Sequence, residues 1–152
     1  VRGARILHVA THAIMDARDP TRSRLLLARF APDGTPVDGE LRAGELGGLG
    51  LAAELVVLSA CHSATGATVA GEGMLGLHHA LLAAGVPHVI ATLWSVQDDA
   101  TARLMAAFYD QLGDDVHAAP RALRAAQRAL RADPRYAAPY FWAGFVAYGD
   151  AD

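Results

Sequence analysis

Glu54-Leu55-Val56-Val57-Leu58-Ser59-Ala60-Cys61-His62-Ser63 is the stretch that decides the fold. Residues 54–60 are apolar and rich in β-branched side chains, with no polar alternation, as in a strand covered on both faces. The strand runs directly into the chain's single cysteine. Working outward, residues 88–94 (HVIATLW) and residues 5–10 (RILHVA) read as further buried strands, with Thr11 and His12 just past the end of the latter. Between the strands lie helical patterns. In residues 72–84, Met74, Leu77, His78 and Leu81 recur at helical spacing, and Gly85 suits a left-handed helix end. After the strand at 88–94, Asp98 or Asp99 is placed to cap a helix with Leu104, Met105, Phe108 and Leu112 on one face. Pro120 suits the first turn of another, in which Leu123, Ala126 and Leu130 face inward, opposite a solvated stripe of Arg121, Arg124, Arg128 and Arg131. Residues 141–148 (FWAGFVAY) read as a last strand. Residues 25–37, with Pro32-Asp33-Gly34 at the tip, form a small accessory hairpin. Strands alternating with amphipathic helices imply right-handed crossovers, a mostly parallel sheet flanked by helices, and a site at the carboxyl ends of its strands.

With 152 residues, the chain has the size of one domain, enough to bury about 70% of its unfolded surface. Its 53% hydrophobic and 19% charged residues exclude a disordered tail. The net charge of −3 argues against nucleic acid as a partner. Every basic side chain other than histidine is Arg; without Lys there is no Schiff-base chemistry, no Ser-Lys dyad and no P-loop lysine. Without Asn there is no Cys-His-Asn triad. One Cys forms no internal disulfide, and no apolar run has transmembrane length, so a cytoplasmic protein away from membranes is expected. The Val1 start suggests a piece of a longer protein, and the Arg- and Ala-rich, Lys-free usage suggests a GC-rich bacterial genome.

His12 and Cys61 both fall beyond strand carboxyl ends, where an open α/β sheet places its reacting groups. A thiol is nucleophilic as the thiolate, and a neighbouring imidazole takes its proton and later returns it to a leaving amine. The two are separated by about 50 residues, the interval between the His and Cys of caspases, although the local caspase signature is missing. A lone Cys is most often a packing residue; the polar turn His62-Ser63-Ala64-Thr65-Gly66 that follows favours exposure instead. His8 is expected to face the core, and His78 and His79 to sit on a helix. A zinc site on His62, His78 or His79 lacks a second Cys and an H-x-x-x-H pair, so neither a metal nor a cofactor is expected. Gly71-Glu72-Gly73-Met74-Leu75-Gly76 fits G-x-G-x-x-G, but it does not follow a strand directly, and Glu72 would oppose a pyrophosphate; it reads as a loop and helix start.

Several ordered blocks over nearly the whole chain resemble the CHAT domains (caspase HetF associated with tetratricopeptide repeats), caspase-like cysteine peptidases. They are His8-Val9-Ala10-Thr11-His12, Leu58-Ser59-Ala60-Cys61, Gly71-Glu72-Gly73 with Gly76-Leu77, Leu93-Trp94-Ser95-Val96 with Asp98, Leu104-Met105 with Phe108-Tyr109, Ala122-Leu123 with Ala126-Gln127, and Pro139, Trp142-Ala143 and Phe145. The resemblance implies a single caspase-like domain over residues 1–152, belonging to the C-terminal part of a longer protein. It also implies that His12 is the general base, Cys61 the nucleophile, and the backbone N–H groups of Cys61 and Ala13 the oxyanion hole. The family often has Gly where Ala13 stands, so a left-handed conformation there would be strained. Asp98 matches an acidic position that implies cleavage after Arg or Lys. The family usually has strands ahead of the His-bearing one; a sheet lacking them needs an upstream segment, a regulatory partner or a homodimer to cover its edge. Helical repeats upstream are the implied recognition region, and a protein or peptide the substrate. Two readings follow: a cysteine endopeptidase, or a non-catalytic caspase-like module for interaction or signalling.

Overall fold

A computed structural model describes residues 3–16, 18–59, 61–62 and 75–149, with Cys61, His62 and Leu75 described by their backbone alone. In chain order the elements are β1 (Ile6–Val9), β2 (His12–Ile14), β3 (Arg24–Leu26), β4 (Glu40–Arg42), β5 (Leu55–Leu58), β6 (Cys61–His62), α1 (Leu75–Ala83), β7 (His88–Thr92), α2 (Asp98–Leu112), α3 (Ala119–Ala132), the single turn α4 (Pro139–Trp142) and β8 (Phe145–Gly149). The main sheet has the order β1-β5-β7-β8, parallel except for the antiparallel edge strand β8. All of β5 and β7 is buried.

Alternation along the central strands divides the core into two layers. Leu55, Val57 and Ile90 pack with Leu104, Phe108, Leu123 and Ala126 of α2 and α3 on one face. Val56, Leu58, Val89 and Ala91 pack with Leu77 and Leu81 of α1 on the other. The outcome is an α/β sandwich of three layers, as the alternating pattern requires. Gly85 ends α1 with φ +90°. In α1, Gly76 approaches the Pro20 carbonyl so closely that a Cβ would sit 2.6 Å from the oxygen, which gives this glycine a packing role. Residues 71–74 of the glycine motif and residues 63–66 of the turn lie outside the described residues.

Several expectations are corrected. Residues 5–10 do not make a strand covered on both faces: among the described residues β1 is an edge strand, and none of its four residues is fully buried. His8 therefore does not face the core but is substantially exposed. Residues 141–148 are not one strand. Pro139 starts a helical turn through Trp142, where its missing N–H costs no hydrogen bond, and β8 begins only at Phe145. Neither Asp98 nor Asp99 caps α2. The cap is Gln97, without a side-chain bond, and the two acids occupy the first turn.

The largest difference is a second sheet, ordered β4-β3-β2-β6. The hairpin of residues 25–37 is longer than its turn signal suggests: β3 pairs with β4, and Phe30 bridges Pro36 nearer the tip. At the tip Asp33 accepts from the Thr35 N–H at 2.9 Å, and Gly34 has φ +84°. His12 and Cys61 therefore lie within strands of this second sheet, not in loops past the first.

On the helical face, Gln127 of α3 spans the α4–β8 corner, its Nε2 donating to the carbonyls of Trp142 at 3.1 Å and Phe145 at 2.9 Å. Gln127→Glu has the same shape but no donor. It is expected to lower stability by about 1–3 kcal/mol in urea unfolding with an unchanged slope. A change below about 0.5 kcal/mol would mean the corner is held by packing alone.

Candidate functional site

β1 and β5 run parallel with Val9 opposite Leu58, and the Ser59 N–H donates to the Val9 carbonyl at 3.0 Å, so pairing continues past the ends of both strands. An equal number of residues further along each chain, His12 on β2 is the register partner of Cys61 on β6, again in parallel. The neighbouring antiparallel pair places Leu26 opposite His12. The Thr11 hydroxyl donates to the Leu26 carbonyl, which ties the β1–β2 junction to β3.

His12 is exposed, whereas Ala13, the next residue, is 1% exposed and packed in the second core. Ala13 sits between Leu25 and His62 in the sheet, and no described residue other than glycine has positive φ. The strain expected at this position is absent, because Ala13 has the extended backbone of a strand.

At the carboxyl end of the main sheet a cavity of about 410 Å³ opens between the strands and α2. His12, Thr11 and Ser59 line it from the strand exits, Thr92 and Trp94 from the end of β7, and Asp98 from the first turn of α2. His12 and Asp98 thus share one cavity. Among the described residues that line it, Asp98 is the only one with a formal charge at neutral pH. Trp94 is held in place: its Nε1 donates to the Tyr140 carbonyl at 3.0 Å, and the Tyr140 hydroxyl donates to the Ser95 carbonyl at 2.9 Å. Gly144 permits this approach, since a Cβ there would sit 2.8 Å from Val96 and 3.1 Å from the indole.

Sequence reasoning missed two supports. His8 also lines the cavity, and its Nδ1 lies 3.0 Å from the Tyr109 hydroxyl of α2. Burial holds the His8 imidazole below its usual pKa and raises that of Tyr109. In a strand, side chains alternate between faces, and without knowing which face α2 covers, His8 cannot be assigned. The second support is Tyr136, whose hydroxyl donates to Asp99 next to Asp98. Arg103 also donates to Asp99, at 3.2 Å, and its guanidinium lies over the Tyr136 ring, 5.6 Å from the centroid.

Among the described residues no group of three or more His, Cys, Asp or Glu could hold a metal ion, and no helix is long and apolar enough to cross a membrane.

A parallel sheet between helices, a His-bearing strand beside a Cys-bearing one, and a cavity at their exits define a protein of the caspase-like fold. The chain belongs to the CHAT domain family, whose model matches residues 1–150. Tetratricopeptide repeat protein 28 of Mus musculus is 35% identical over 109 residues, covering 72% of this chain and 4% of that protein. Its Homo sapiens counterpart is 32% identical over 109 residues with the same coverage. The chain therefore spans only 4% of the length of the curated relatives it matches.

The hydrogen bond from Tyr136 is the largest cause holding the Asp99 carboxyl below its ordinary pKa, followed by that from Arg103. A lowered folded-state pKa stabilises above the unfolded value and is lost as pH falls through the folded one. Tyr136→Phe is therefore expected to lower Tm at pH 7 and to cost progressively less below about pH 4. A cost that does not vary with pH, in thermal unfolding from pH 7 to 2, would assign Tyr136 to packing alone.

Proposed function

We propose that this domain is a cysteine endopeptidase in which Cys61 is the nucleophile and His12 the general base. The observation that carries the reading is the parallel register of His12 with Cys61. Neighbouring strands lie about 4.8 Å apart, a backbone separation from which an imidazole and a thiol can reach each other. His12 takes the thiol proton, and the thiolate adds to a peptide carbonyl carbon. The oxyanion is held by backbone N–H groups of Cys61 and Ala13. His12 then protonates the departing amine as the C–N bond breaks, leaving a thioester on Cys61. Water, deprotonated by His12, hydrolyses the thioester and regenerates the thiol.

The cavity beside His12 receives the substrate side chain preceding the scissile bond. Asp98, the one formal charge among the described residues of its lining, favours Arg or Lys there. The substrate is a protein or peptide. The name of the relatives supports a setting beside tetratricopeptide repeats, which would carry recognition and control, or a regulatory partner in their place. Among the described residues no strand pairs with the outer edge of β1, which an upstream segment or a second copy would cover. A single thiol suits a reducing cytoplasm, and the Lys-free composition a bacterial source.

A non-catalytic interaction module of the same fold is the competing reading. The deciding experiment is labelling with a peptidyl-Arg acyloxymethyl ketone, read by intact mass, on wild type beside Cys61→Ala and His12→Ala. One adduct in wild type and none in either variant is expected. An adduct that persists in His12→Ala at the wild-type rate, or no adduct at all while a small alkylating agent still modifies Cys61, would favour the interaction module. Asp98→Asn is expected to slow labelling by the Arg probe about tenfold or more, with little effect on a probe bearing a neutral side chain.

A further inference from the structure

His8 is the residue of the cavity for which neither the sequence reading nor the proposed dyad has a use. Exposed on its edge strand, it lines the cavity, with its ring 5.8 Å from that of Tyr109 and Nδ1 held by the Tyr109 hydroxyl at 3.0 Å. The bond matters for chemistry because a phenol both donates and accepts. If Nδ1–H donates to Tyr109, Nε2 keeps a lone pair; if Tyr109 donates to Nδ1, Nε2 carries the hydrogen. The nitrogen left for a ligand is Nε2 in both cases, so the pair adapts to a donor or an acceptor without moving.

The surroundings select between these forms. Among the described residues, the ionisable groups around His8 are Asp98 and Tyr109 from α2 and His12 from β2, while Ser59, just past β5, and Thr92 of β7 also line the cavity. A cationic side chain entering beside Asp98 favours the tautomer with the Nε2 lone pair free and opposes protonation of the ring. Resting on the peptidase reading, we propose that His8 is a specificity-determining residue: its neutral ring, oriented by Tyr109, accepts a hydrogen bond from the guanidinium of an Arg side chain whose charge is met by Asp98. Guanidinium suits two acceptors because its five N–H donors are spread in a fixed plane, whereas a Lys ammonium is a compact point charge. Arg is therefore preferred over Lys. Partial desolvation, which lowers the His8 pKa from its usual value, favours the same neutral form.

The test compares acyloxymethyl ketone probes that bear Arg or citrulline, a neutral isostere, in the position before the reactive carbonyl. Labelling rates of Cys61 are measured from pH 5 to 8.5 for wild type, His8→Gln and His8→Leu. Taking the Arg-to-citrulline ratio cancels the titrations of His12 and Cys61, which act on both probes alike. In wild type the ratio is expected to fall about tenfold as His8 protonates. His8→Gln, whose amide oxygen still accepts, should keep a high ratio that no longer varies with pH. His8→Leu should lower the ratio severalfold at every pH and remove its variation with pH. Equal ratios in all three proteins, with Cys61 labelled in each, would overturn the role of His8 and leave the peptidase reading standing. Failure of both probes to label folded wild type would overturn both.

Discussion

The parallel pairing of β1 with β5 is the constraint on which the rest of the site depends. It brings two strands distant in sequence into register through Val9 and Leu58, and the Ser59–Val9 hydrogen bond carries that register past their ends. Both chains then cross into the second sheet without either gaining or losing a residue, so His12 meets Cys61. The interval of about 50 residues between them is therefore the register offset of the sheet. An insertion in the ribbon or in the connection to β5 lengthens the interval but leaves the pairing intact, as long as the strands keep their partners. A residue inserted between Val9 and His12 would shift one partner against the other and turn it to the opposite face of the pleat.

Around that pair the molecule uses its two core layers differently. The layer on the α2 and α3 side supports the cavity wall, through Gln127 at the α4–β8 corner, the Trp94–Tyr140 hydrogen bond and the Tyr136–Asp99–Arg103 group at the start of α2. The layer on the α1 side holds the second sheet, through Ala13, Leu25, Ala43 and Leu46 packed with Leu77 and Leu81. His12 therefore stands on strands held by one layer and lines a cavity whose far wall is held by the other. Under the peptidase reading proposed above, changes in that wall would tune which side chain is admitted without moving the strands that carry His12 and Cys61.

The legible parts of the fold were those in which local pattern and long-range packing agree. β5 and β7 are covered on both faces, so their apolar runs have one reading, and the faces of α2 and α3 bury the residues that their periodicity selects. Edge elements were misread for a common reason. β1 has a strand's composition but, among the described residues, only one flanking strand, so composition alone overstated its burial, and the same ambiguity hid His8. Residues 141–148 carry aromatic side chains at Phe141, Trp142, Phe145 and Tyr148, yet Pro139 favours a helical turn before the strand, and aromatic side chains suit both.

By itself, the sequence determined the alternation of strands and helices, the single thiol, the absence of Lys and Asn chemistry, and the blocks that mark the CHAT family. These are properties of composition and short-range order, which a linear string records. Only the tertiary structure decided that His12 and Cys61 occupy paired strands of a second sheet, that Ala13 is unstrained, and that His8, His12 and Asp98 share one cavity. Strands of two or three residues are too short to show a period, and their stability comes from partners far along the chain. Which face of an edge strand meets a helix is likewise set by the crossover that delivers that helix, and no local pattern carries that information.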